Sequence, residues 1–149
     1  MMKKIHSLNS ESYSPVSLGR NYLFLQHEAI QSFLQKNFRE EIASALTKPI
    51  KNDNTVNFYT ELPGDFKLLE DIDSSEQHEI LIRYNALLFE VNRKCKTFEV
   101  SDDPDYIQWA KTIKIVFDID SNLIFTNGKS IIIIWGWKFR MKENYYLPF

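Results

Sequence analysis

Four consecutive isoleucines, Ile131 to Ile134, follow closely on an Asn127-Gly128 pair. Asn-Gly is the strongest short hairpin signal, because both residues tolerate positive φ. Successive side chains of a strand point to opposite faces. An apolar run with no polar alternation therefore needs cover on both sides of its sheet. With Leu123-Ile124-Phe125-Thr126 before the turn and Ser130 to Met141 after it, the segment reads as a β-hairpin. Beyond the isoleucines alternation returns: Trp137, Phe139 and Met141 share one side, and Lys138, Arg140 and Lys142 the other.

A lone hairpin is marginal in water, so other elements must cover these isoleucines. Ile30, Phe33, Leu34, Phe38, Ile42, Ala45 and Leu46 recur at three- and four-residue steps, which predicts a helix over Tyr22–Thr47 stopped by Pro49. Asp73 and Glu76 stand at capping-box spacing ahead of Leu81, Tyr84, Leu88, Val91, Cys95 and Phe98, which predicts a helix from Ser74 to Glu99. Asp103-Pro104 starts another, carried by Tyr106, Trp109, Ala110, Ile113 and Val116 to about Phe117. Residues 113–119 also alternate, so a strand competes there; the helix is favoured. Asn52-Asp53-Asn54 is a turn, and Val56 and Phe58 mark a short strand after it, closed by Pro63-Gly64-Asp65. The expected fold is α+β: about three helices on a small antiparallel sheet that includes a C-terminal β-hairpin. Residues 1–20 are polar and read as a loosely ordered arm or a loop laid over the body, with 21–149 as a single domain.

Length and composition agree. A chain of 149 residues, 44% hydrophobic and 14% aromatic, can build a core without metal or disulfide. Cys95 is the only cysteine, so no intrachain disulfide can form, which suits a reducing compartment. No apolar run follows Lys3-Lys4 as a leader requires, and the longest one, Ile131 to Trp135, is far below the ~18 residues that span a bilayer. A cytoplasmic protein with no membrane insertion is expected. The net charge of −2 carries no basic surplus, so nucleic-acid binding would rest on a local patch.

Ile115-Val116-Phe117-Asp118-Ile119-Asp120 resembles the first motif of haloacid-dehalogenase-type phosphatases, an apolar strand ending in Asp-x-Asp. The resemblance implies a nucleophilic Asp118 and a proton-handling Asp120. The chain departs from the pattern at once. Ser121 and Asn122 replace the glycine and threonine, and Glu143 is the only acid after Asp120. A polar turn into the hairpin is the better reading. His27, Glu28 and His78 lack metal-ligand spacing, Cys95 lies on an apolar stripe, and four glycines cannot build a phosphate loop. No cofactor or metal is expected.

What is abundant is aromatic and basic side chain near the C-terminus. Trp135, Trp137, Lys138, Arg140, Lys142, Tyr145, Tyr146 and Phe149 are the candidate binding residues, since Trp, Tyr and Arg dominate interface hot spots. The tail 144–149 ends in bulky apolar groups that either join the core or dock on a partner. The expected function is a non-catalytic interaction or accessory module, with another protein or a second copy as partner. One alternative is a small hydrolase-like enzyme in which His27, His78, Asp118 and Asp120 converge. Another is nucleic-acid binding through Lys138, Arg140 and Lys142, backed by base stacking.

Overall fold

The computed structural model describes residues 2–139. In chain order the elements are β1 (Lys3–Asn9), β2 (Ser17–Leu18), β3 (Asn21–Tyr22), α1 (His27–Asn37), α2 (Glu40–Ser44), β4 (Lys48–Asn52), β5 (Thr55–Thr60), β6 (Lys67–Leu68), α3 (Ser74–Glu99), α4 (Pro104–Val116), β7 (Leu123–Thr126) and β8 (Ile131–Ile134). Strands pair antiparallel in the orders β1-β5-β4, β2-β3 and β6-β7-β8. The protein is an α+β fold with a C-terminal β-hairpin.

The hairpin is the middle layer. Ile131, Ile133 and Ile124 face one cluster with Ile30, Leu34, Ile80, Tyr84, Val91 and Ile113 of the helices. Ile132, Ile134 and Phe125 face the other way, against Leu8, Val56 and Phe58 of the β1-β5-β4 sheet. All four isoleucines are buried, so the run has the double cover its lack of polar residues demands. At about 1.5–3 kcal/mol per side chain, their burial contributes on the order of 6–12 kcal/mol before chain entropy is subtracted. Thr126 pairs with Ile131, so the loop is residues 127–130 rather than Asn-Gly alone. Asn127 Oδ1 accepts from the Lys129 and Ser130 amides at 2.9 and 2.6 Å, and its amide nitrogen donates to the Pro63 carbonyl at 2.8 Å. Gly128 supplies φ 91°.

α3 and α4 fall where capping chemistry puts them. Asp73 accepts from the Ser75 amide at 3.0 Å, and Asp103 from the Asp105 amide at 2.9 Å with Pro104 at the first helical position. The helix reading of 104–116 holds over the strand that competed with it. The Leu81–Phe98 stripe is spent inside the molecule, on α4 and on Phe33 of α1, whose ring lies 5.5 Å from Phe98.

Three expectations need correction. The helix over Tyr22–Thr47 is divided: a 3-10 turn at Leu23–Gln26, then α1, then α2, with Phe38 and Arg39 extended between them (φ −129°, ψ 163° and φ −62°, ψ 154°). Leaving the helix lets the Phe38 ring reach Phe98 at 6.1 Å, a tertiary gain that helical periodicity does not register. α2 also stops at Ser44, short of Pro49, because Ala45 and Leu46 turn to meet β8: the Ile133 amide donates to the Ala45 carbonyl at 2.9 Å. The strand expected from Ser130 to Met141 ends at Ile134. Gly136 turns the chain with φ 90°, and the next residues meet 14–16: the Val16 amide donates to the Gly136 carbonyl and the Lys138 amide to the Ser14 carbonyl. Finally, the polar N-terminal residues are no loose arm over 3–9. β1 pairs with β5 along its length, with an irregularity between Lys4 and His6, and only Leu8 is fully buried. Its attachment is backbone hydrogen bonding, which leaves little trace in side-chain pattern.

Candidate functional site

The tryptophans singled out from the sequence are core residues. Trp135 is 0% and Trp137 1% exposed. Trp135 donates from Nε1 to the Thr47 carbonyl at 2.8 Å, and Trp137 stacks on Phe24 at 4.4 Å and meets Phe58 edge-on at 5.9 Å. Neither presents a contact face, because the middle-layer position of the hairpin buries both sides of the chain there. Lys138 is exposed but follows the strand rather than defending its edge. Arg140, Lys142, Tyr145, Tyr146 and Phe149 lie outside the described residues.

The four residues of the hydrolase-like alternative do not line one cleft together. His27 lines a cleft of about 640 Å³ between α1, α2 and β5, with Glu40, Lys48, Tyr59 and Glu61. Burial, then the Lys48 charge, holds its imidazole below the ordinary histidine range, with Glu28 opposing. Its Nδ1 finds no partner among the described residues. His78 is exposed on α3 and lines neither this cleft nor the one that holds Asp120 with Glu70 and Gln77. Asp118 serves a turn: its carboxylate accepts from the Asp120 amide and the Ser121 hydroxyl, both at 3.0 Å, and it follows a helix rather than a strand. That geometry removes the structural basis of the Asp-x-Asp resemblance. Burial pushes the Cys95 thiol up to about 11, which makes it a packing residue rather than a nucleophile. No group of three or more His, Cys, Asp or Glu side chains is placed to hold a metal among the described residues, and no described helix is long and apolar enough to cross a membrane.

Sequence reasoning passed over the outer side of α3. Its inner side carries Ile80, Tyr84, Leu87, Val91, Cys95 and Phe98, all buried. At ~100° per residue, Ile82 and Phe89 stand half a turn away from that stripe, two turns apart and within about 20° of each other. They are 57% and 71% exposed, with the small exposed Ala86 between them. A single exposed apolar residue is ordinary; a phenylalanine and an isoleucine aligned on one helical face, both mostly in water, form a patch that association would relieve. The charged residues beside the patch are partly committed. Arg39 holds Glu90 through two nitrogens at 2.8–3.0 Å, which lowers the Glu90 carboxyl from its usual range, and Arg83 donates to the Gly128 and Lys129 carbonyls. Glu79 and Arg93 are exposed and close no ion pair among the described residues. The signal was present in the sequence as two apolar residues a heptad apart on the polar face, but the stronger stripe behind them masked it.

No protein-family model matches the chain, and comparison with characterised proteins and with solved structures returns no match either.

Proposed function

We propose that the protein is a non-catalytic interaction or accessory module that binds another protein chain through the outward face of α3. The observation that carries this reading is the aligned exposure of Ile82 and Phe89 on the side of α3 opposite the core. Aromatic side chains that are free to become fully desolvated, with polar groups at their margin, are the usual centres of binding energy. A hydrolase-like activity has less support, since of its four candidate residues only His27 lines the cleft between α1, α2 and β5. A nucleic-acid role retains only Lys138 among the described residues of its basic stripe.

The test uses the tagged full chain added to an extract of its native host. The wild type is expected to elute in a species larger than the monomer, and the double variant Ile82→Asp/Phe89→Asp at monomer mass. Far-ultraviolet circular dichroism and the melting temperature control for folding. Co-elution of wild type and double variant, with both folded, overturns the reading.

A further inference from the structure

The α3 face has a polarity that specifies its partner. Glu79 lies seven residues before Ala86 and Arg93 seven residues after it, about 10 Å to either side along the axis. All three point to the outward side with Ile82 and Phe89, which themselves lie about equally far before and after Ala86. At the margin of the face Lys96 adds a further positive charge to the C-terminal half.

Resting on the reading of α3 as a binding face, we propose that its partner is a second copy of this chain, docked antiparallel on a two-fold axis that passes near Ala86. In that register residue numbers on facing helices sum to about 172. Ala86 meets its own copy, where a small side chain allows the helices to approach closely. Phe89 of each chain covers Ile82 of the other, so each exposed apolar residue gains an apolar neighbour. Glu79 of each chain meets Arg93 of the other, twice over by symmetry. The parallel alternative sets Glu79 beside Glu79 and Arg93 beside Arg93, and the charges reject it. The committed charges do not interfere. Glu90 is taken by Arg39, Glu99 by Lys114 and Arg83 by the hairpin-loop carbonyls, all within one molecule.

The face is short, so association is weak and salt-sensitive, with a dissociation constant of the order of micromolar to millimolar. The two-fold arrangement makes a specific demand. Glu79→Lys alone creates two like-charge pairs in its own dimer, and so does Arg93→Glu alone. Mixed together, the two variants form a heterodimer with two attractive pairs. The lysine introduced at position 79 of one chain faces the glutamate introduced at position 93 of the other, and the native Arg93 faces the native Glu79.

Sedimentation equilibrium at low ionic strength reads this directly. The wild type is expected to dimerise, each single variant to dimerise at least about tenfold more weakly, and the equimolar mixture to recover wild-type affinity. Circular dichroism confirms that each variant is folded. A wild type monomeric up to about 1 mM, or variants that dimerise like the wild type, overturns the self-association proposal. So does a mixture no tighter than its components. Those outcomes leave the wider reading of α3 to the host-extract experiment. That reading fails separately, when Ile82→Asp/Phe89→Asp changes nothing there.

Discussion

Trp135 and Trp137 are two residues apart, both fully buried, and differ in one respect that a matched pair of substitutions isolates. The Trp135 indole donates to the Thr47 carbonyl at 2.8 Å, and Thr47 is itself 0% exposed. The Trp137 indole nitrogen is buried with no acceptor among the described residues. Replacing either by phenylalanine removes roughly 40 Å³ of side chain, which at ~24 cal/mol per Å³ costs about 1 kcal/mol if the site does not collapse. Trp135→Phe also strands a buried carbonyl, adding about 1–3 kcal/mol for a total near 2–4 kcal/mol. Trp137→Phe instead removes a donor that is unsatisfied among the described residues, whose desolvation cost of about 1–3 kcal/mol offsets the lost volume and leaves a change near zero or a slight gain. Phenylalanine at 137 still stacks on Phe24. Urea unfolding followed by far-ultraviolet circular dichroism measures both. With m of about 1–3 kcal/mol per molar, the two midpoints should differ by roughly 1 M or more. Equal midpoints, or a larger loss for Trp137→Phe, would refute the hydrogen-bond reasoning. A negligible loss for Trp135→Phe would refute the placement of that ring in the core.

Cys95 should react with a maleimide or disulfide reagent at pH 8 at least a hundredfold more slowly in the native protein than in urea, because the thiol is buried and held near 11; stoichiometric native labelling within seconds contradicts this. Glu90 is depressed mainly by the Arg39 hydrogen bonds. A depressed carboxylate stabilises the fold above its unfolded pKa and loses that contribution as pH falls through the folded one. Glu90→Gln should therefore cost about 0.2–1 kcal/mol at pH 7, and its melting temperature should converge on that of the wild type as pH drops below the ordinary carboxylate range; a gap that persists at pH 2 refutes the assignment. Asn127→Ala removes three hydrogen bonds at the hairpin loop and should lower stability by about 1–3 kcal/mol, read by thermal melting, with Asn127→Asp retaining the two loop amides.

The elements most legible in the sequence were those with a local chemical mark. Asp73 and Asp103-Pro104 set the starts of α3 and α4, and the isoleucine run required a strand covered on both faces. The candidate site was less legible. Tryptophans are equally suited to cores and to interfaces, and nothing local told Trp135 and Trp137 that the chain would bury them from both sides. β1 was missed because an edge strand held by its backbone needs few apolar residues, and the α1–α2 break because Phe38 answers to Phe98, sixty residues away.

By itself the sequence determined the class of the fold and the span of its long helix, since caps, turns and periodicity act over a few residues. Only the tertiary structure decided which apolar groups remain in water. That depends on which surfaces meet, and it placed Trp135 and Trp137 in the core and left Ile82 and Phe89 of α3 exposed.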